Sequence, residues 1–272
     1  MLLGFVGLGA VVETAYLPAI RKRFDNLPHC LGFDIQPVKQ PEGVTRCATL
    51  TELLSQPLDT LFITTASLHH LEVLEHALAS SVSRIVVEKP IVATLSQIQK
   101  LNALLANPDV ASRVLAMLRE TVRYLGGIDE MTLRVVTAKD RLGRDIAKGD
   151  LTTAEGEAHL QGSISGVPVD IWLNKYAGPA GGQKGLRLWL RDGRIISYDR
   201  HGAEDVLELI NGDTRQRWNI HGTIYEHCLA EHILGANSLF QRDPQEVSRT
   251  TRRRIEEVTL LLALQQQLRG PH

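Results

Sequence analysis

Two short stretches carry residues whose type and spacing point to chemistry. Gly7-Leu8-Gly9-Ala10-Val11-Val12 stands between an apolar run of strand length, residues 2–6, and a segment of helical spacing, Glu13 to Arg23, with Tyr16, Leu17 and Ile20. A glycine turn in that place lets backbone approach a pyrophosphate, whose charge is stabilised by the free N–H groups and the dipole of the helix start. Gly7 supplies the tight turn and Gly9 the close approach. The third position is Val12, where glycine or alanine normally lets helix and strand pack closely. Asp34 follows 25 residues after Gly9, at the end of a second apolar run from His29. A carboxylate there accepts both hydroxyls of a ribose and repels a 2′-phosphate. Neither Arg nor Lys follows Asp34 immediately, so the expected cofactor is NAD, with NADP the second choice.

The elements that must position these residues alternate in the first half of the chain. Thr60 to Thr64 and Arg84 to Val87 read as further buried strands, while Leu68 to Ser80 and Leu95 to Leu105 carry one apolar helical face each. Strand and helix in alternation imply a parallel sheet covered on both faces, joined by right-handed crossovers. The pattern changes after Asn107-Pro108. From Met131 to Trp218 strand runs are separated by Ser165-Gly166, Asp192-Gly193 and Asn211-Gly212, dipeptides that supply positive φ in hairpins. Val167, Val169, Ile171 and Leu173 alternate with Pro168, Asp170, Trp172 and Asn174, which gives one apolar face. Two helices, Thr223 to Leu234 and Pro244 to Leu268, follow, and residues 142–153 read as a long connection. The expected fold is α/β: a Rossmann parallel-sheet domain over residues 1–112, then a smaller α+β domain over 113–272 with an open, mainly antiparallel sheet and closing helices at 223–268.

Composition narrows the class. The chain has 272 residues, 43% apolar and 22% charged, with 30 Lys+Arg against 31 Asp+Glu, a balance that argues against disorder and against nucleic acid as main partner. Arg249, Arg252, Arg253 and Arg254 are interleaved with Glu256 and Glu257 and read as a solvated helix face. Cys30, Cys47 and Cys228 are odd in number and lack CxxC spacing, which fits a reducing cytoplasm rather than a disulfide frame or zinc site. No apolar run reaches the roughly 18 to 20 residues of a membrane span. The glycines and Glu13 set Leu2 to Val12 apart from a signal peptide.

Gly4 to Ala10 (GFVGLGA), Thr64-Thr65-Ala66-Ser67-Leu68-His69-His70 and Ile85 to Pro90 (IVVEKP), with the antiparallel sheet downstream, resemble the Gfo/Idh/MocA family of NAD(P)-dependent oxidoreductases. The resemblance is close over the first 108 residues and resumes more loosely from Ala154. It implies a two-domain enzyme with nicotinamide at the carboxyl ends of the parallel strands, and a small-molecule substrate, a sugar, polyol or related hydroxy or carbonyl compound, between the domains. It assigns the cofactor to the turn Gly7, Leu8, Gly9, Ala10 and Val11, to Asp34, to Thr64, Thr65, Ala66 and His70, and to Glu88, Lys89 and Pro90. His70 matches the histidine closing a Thr-Pro-x-x-x-His stretch whose proline is here Ala66. Glu88 and Pro90 would shape the nicotinamide pocket, Pro90 through a cis bond. Lys89 matches the family's EKP lysine, close to the reacting carbon. Hydride leaving a carbinol requires the hydroxyl proton to leave too, and a lysine beside a bound cation has its pKa lowered toward a useful range.

The same resemblance implies an Asp and a His four residues apart on a helix of the second domain, the His as acid/base. No such pair stands between Gly126 and Thr153, where Asp140, Asp145 and Asp150 have no histidine near them, and the chain is short for a member of the family. His159, on a strand expected from Gly156 to Ile164, and Tyr176, just past the strand ending in Asn174-Lys175, are the substitute acid/base candidates. His227 and Glu231 are one turn apart on a helix, with His221 and His232 nearby, but they match a family helix remote from the nicotinamide, and no metal is expected. Trp172 and Trp189 read as interface residues, and a homodimer through the second-domain sheet is the expected assembly. Two readings stay open: an oxidoreductase led by Lys89, or a dinucleotide-binding sensor, regulator or partner protein derived from one by loss of the catalytic helix.

Overall fold

Apolar runs without alternation need cover on both faces, and the first six strands of the chain pair side by side into a sheet that helices cover. β1 (Leu2–Val6), β2 (His29–Phe33), β3 (Val44–Arg46), β4 (Thr60–Ile63), β5 (Ile85–Val87) and β6 (Val114–Ala116) form one parallel sheet in the order β3-β2-β1-β4-β5-β6. The computed structural model describes residues 1–24, 28–37, 40–117, 131–139, 157–164, 166–174, 183–201, 204–235 and 237–269. Strand order reverses at β1 and β4, which opens a crevice at the carboxyl ends of the strands. The expected strands are all present; β3 and β6, three residues each, extend the sheet at its two edges, and β6 lies just beyond the expected boundary at residue 112.

Successive residues of a strand point to opposite faces, and the two cores follow that rule. Val6, Ile63, Val87 and Ala116 pack with Leu53, Leu74, Ile98 and Leu101 on one face. Leu3, Phe5, Phe62, Val86 and Leu115 pack with Val12, Tyr16 and Ile20 on the other. The helical side chains come from a π-helical turn (Val12–Tyr16) leading into α1 (Leu17–Arg23), and from α2 (Leu50–Leu54), α3 (His70–Leu78) and α4 (Leu95–Leu104). The Thr94 hydroxyl caps α4 by accepting from the Gln97 N–H, and α5 (Pro108–Arg113) leads into β6. Each large side chain buried this way contributes about 1.5–3 kcal/mol.

The end of the chain returns to this unit. Its compact parts are Met1–Asp129 and Ile224–Ala263, whereas the sequence reading assigned the closing helices 223–268 to the second domain. The physical reason is burial. Cys228, Leu229 and Ile233, from α6 (Ile224–His227) and the π-helical turn after it (Cys228–Ile233), complete the core around Phe5 and Tyr16. After α7 (Leu239–Arg242), α8 (Pro244–Arg269) places Ile255 and Val258 in the opposite core. The Thr251 hydroxyl of α8 donates to the Val114 carbonyl at 2.7 Å and accepts from the Ala116 N–H at 3.0 Å, closing off part of the β6 edge.

The second unit, Glu130–Thr223 with Leu264–His272, is antiparallel throughout its described strands. These described strands form two sheets: β7 (Met131–Lys139), β8 (Glu157–Ile164) and β9 (Val167–Asn174), and β10 (Gln183–Trp189), β11 (Ile195–His201), β12 (Glu204–Asn211) and β13 (Thr214–Ile220). Gly166, Gly193 and Gly212 have φ of +74°, +84° and +57° in the expected hairpin turns. Leu186, Ile196, Tyr198, Leu207, Leu209 and Trp218 share one face of the four-stranded sheet. Trp189, 71% exposed, lies on the other. Residues 142–153 lie outside the described residues.

Candidate dinucleotide-binding site

The glycine turn after β1 contains two glycines with different reasons. Gly7 has φ +93°, and a Cβ on it would lie 2.7 Å from the Thr65 nitrogen and 2.8 Å from the Thr64 carbonyl carbon. No side chain fits there, because the obstacle is backbone. Gly9 is the opposite case: a Cβ on it would meet nothing within 4 Å. The chain itself does not require glycine at that position, and the open space lies at the start of the helix, beside Ala10 and Val11, where free N–H groups favour an anion. Val12, in place of a small residue, is fully buried where the helix opens into its π turn.

Asp34, at the end of β2, is tied to the same turn. One carboxylate oxygen accepts from the Leu8 N–H at 2.7 Å and the other from the Gln36 N–H at 2.8 Å. Each oxygen keeps a second lone pair, so the carboxylate is oriented and still able to accept from ribose hydroxyls. Arg46 of β3 donates to the carbonyls of Asp34 and Gln36 at 2.8 and 2.7 Å, which places a cation on this loop although none follows Asp34 immediately in sequence.

Across the switch point the loops after β4 and β5 meet. The Thr64 hydroxyl donates to the Gly7 carbonyl at 2.7 Å and fixes the glycine turn from below. Thr65 Oγ1 is buried and has no hydrogen-bond partner among the described residues, a cost that a bound polar group would remove. Ala66 is exposed where the related motif has proline. His70, the first residue of α3 and 1% exposed, spans both loops: Nδ1 lies 2.9 Å from the Pro90 carbonyl and Nε2 lies 2.8 Å from the Thr65 carbonyl. A neutral imidazole has one N–H for two acceptors, and the imidazolium donates to both. Burial outweighs the carbonyls and moves the His70 pKa below its ordinary value.

The Lys89-Pro90 bond is cis, and Lys89 is exposed at the end of β5. Glu88, 6% exposed, accepts from the Tyr16 hydroxyl at 2.7 Å and from the Tyr225 hydroxyl at 3.1 Å. Burial first, and then the Glu88 carboxylate, push the Tyr16 phenol well above its ordinary pKa, so it remains a donor. Tyr16, Tyr225 and Arg46 are functional candidates that sequence reasoning missed.

The expected cofactor residues therefore converge at the carboxyl ends of β1, β2, β4 and β5. Of the acid/base candidates, Lys89 belongs to this unit. Tyr176 lies outside the described residues, as do Asp140, Asp145 and Asp150. His159 belongs to the second unit, where its Nε2 lies 2.7 Å from Asp170 Oδ1 and its ring stacks on Trp172 with centroids 3.7 Å apart. Hydrogen bonds from Gln161 and then His159 hold the Asp170 carboxyl below its ordinary range. A His–Asp pair can handle a proton, but this histidine is only 8% exposed. Among the described residues no group of three or more His, Cys, Asp or Glu side chains could hold a metal ion.

A six-stranded parallel sheet with a glycine turn, an acidic residue closing β2 and a crevice at the strand reversal defines a Rossmann dinucleotide-binding unit. Residues 1–115 match the family described as "Oxidoreductase family, NAD-binding Rossmann fold" (GFO_IDH_MocA). No curated protein matches the chain in sequence. Among solved structures it is similar to a UDP-N-acetylglucosamine 3-dehydrogenase, GnnA, from Acidithiobacillus ferrooxidans, at 13% identity and TM-score 0.63, covering 98% of this chain and 99% of that one. KijD10, a 3-ketoreductase from Actinomadura kijaniata in complex with NADP, aligns at 12% identity and TM-score 0.60 over 95% of this chain and 96% of that one. Biliverdin reductase from Synechocystis sp. PCC 6803, in complex with biliverdin and NADP+, aligns at 13% and 0.56 over 98% of both. At these identities the likeness shows the fold. No helix among the described residues is long and apolar enough to cross a membrane.

Proposed function

We propose that the protein is an NAD(P)-dependent oxidoreductase acting on a sugar, polyol or related hydroxy or carbonyl compound. The observation that carries this reading is Gly9: the space beside it serves no side chain of the protein, and it adjoins a helix start and an oriented Asp34. The pyrophosphate belongs at that turn, the adenosine ribose at Asp34, and the nicotinamide half across β1 at the ends of β4 and β5, where the Thr65 hydroxyl awaits a partner. Bound nicotinamide supplies a hydride acceptor or donor. Lys89, exposed beside it, takes or returns the hydroxyl proton. Asp34 supports NAD. Arg46 on the same loop, together with NADP in two similar structures, supports NADP as the alternative.

Lys89→Ala should lower turnover about 10²–10⁴-fold while NADH affinity changes by less than about twofold. Unchanged turnover removes Lys89 from the mechanism.

A second reading, a dinucleotide-binding protein without turnover, is favoured by the enclosure of His159 beneath Trp172. A screen of sugars, polyols and 2-oxo compounds with either nucleotide, read by nicotinamide absorbance, separates the two, since robust turnover on any of them excludes it. The half-exposed apolar face of the four-stranded sheet supports a homodimer built on a second copy.

A further inference from the structure

We propose that Tyr16 and Tyr225 are positioning residues: by holding Glu88 they fix the Glu88-Lys89-Pro90 turn so that it meets the nicotinamide end of the dinucleotide. This rests on the dinucleotide reading above and extends it to residues brought together from distant parts of the chain.

A carboxylate buried as deeply as Glu88 needs donors, since an unpaired one is costly to desolvate. The chain provides one hydroxyl for each oxygen, from Tyr16 and from Tyr225. Neither hydroxyl is free to wander. Tyr16 is fully buried and packs edge-on against Phe62 and Tyr225, both with ring centroids 5.1 Å away. Tyr225 rides on α6, whose continuation is fixed in the core by Cys228, Leu229 and Ile233, and whose Glu226 meets Lys22 at 2.8 Å.

The turn is gripped at its other end as well, where the Pro90 carbonyl faces His70 Nδ1. At its start the Glu88 N–H donates to the Ile63 carbonyl at 2.9 Å, continuing the sheet ladder. Side chains from three helical elements therefore hold the residues on either side of Lys89, while Lys89 itself is exposed. An apolar residue in place of Glu88 would fill the core without needing donors. What the carboxylate and its two hydroxyls add is a fixed direction for the turn, and such support is what a proton-handling group at the end of a strand requires.

The test compares two ligands of the purified full chain. NADH reaches the turn, whereas ADP-ribose shares its adenosine and pyrophosphate but lacks the nicotinamide. Tyr225→Phe should weaken NADH about tenfold, the scale of one hydrogen bond lost from a charged group, and leave ADP-ribose affinity within about twofold. Tyr16→Phe should act in the same direction, and Glu88→Gln provides a third variant should either tyrosine variant fold poorly. Parallel loss of both ligands makes the tyrosines general supports of the fold and overturns the proposal, as does unchanged NADH affinity in Tyr225→Phe and Glu88→Gln. Failure of the wild-type chain to bind either ligand instead removes the dinucleotide reading on which the proposal stands.

Discussion

All four residues of β4 are buried, and all seven residues of β13 are exposed. The two strands represent their units. In the first, a parallel sheet is covered on both faces, and the packed side chains can hold a carboxylate, two phenols and an imidazole in fixed relation. In the second, the antiparallel sheets keep Trp172 at 73% exposure and Trp218 at 47%. A site that must orient a dinucleotide needs the first kind of surroundings. A surface that must meet another molecule is served by the second.

The largest effect expected from breaking this contrast is at Gly7. Gly7→Ala forces a Cβ against the Thr64-Thr65 backbone at positive φ and should destabilise the protein by about 2–4 kcal/mol, measured by chemical denaturation. A loss under about 1 kcal/mol would show that the turn relaxes and that the first unit is less tightly determined than its packing suggests.

A smaller effect comes from His70. Its folded pKa is lowered, so between that value and the unfolded pKa of about 6.5 the unfolded chain binds the extra proton. Its contribution is therefore fully present above about pH 6.5 and is lost as pH falls through the folded pKa. Glu88, the charged group acting on it, opposes the shift, as do the carbonyls of Thr65, Pro90 and Ile91. The wild type should lose thermal stability on acidification more steeply than His70→Gln. Superimposable pH profiles would contradict this.

The smallest effect on stability belongs to the second unit. Trp218→Ser should change monomer stability by less than about 0.5 kcal/mol, yet shift the sedimentation of the protein toward the monomer. An unchanged oligomeric state, or a large loss of stability, would show that this face is packed rather than open.

How much of this was legible depends on sequence separation. The glycine turn and Asp34 are local patterns tied to a single strand–turn–helix–strand unit, and residues read from them do meet in space. The EKP segment was legible through family resemblance, but its surroundings were not: Tyr16 lies 72 residues from Glu88 and Tyr225 137 residues from it, and no spacing rule connects them. β3 and β6 escaped because three residues are too few to show a period. The return of Ile224–Ala263 to the first unit is likewise invisible in periodicity, since an amphipathic helix shows that it packs and not against what. The partner of His159 was within reach. The Ser165-Gly166 turn sets Ile164 opposite Val167, and counting outward places Trp172 opposite His159 and Asp170 opposite Gln161.

The central claim is that the first unit binds a nicotinamide dinucleotide through the turn at Gly9. Titration of NADH into wild type and Gly9→Ala, followed by nicotinamide fluorescence and paired with thermal unfolding, tests it most directly. Saturable binding by the wild type is predicted, with at least about tenfold weaker binding by Gly9→Ala at an unchanged melting temperature, because the added methyl meets only the ligand. Equal affinity in the two proteins, or no saturable binding of NADH or NADPH by the wild type, would contradict it.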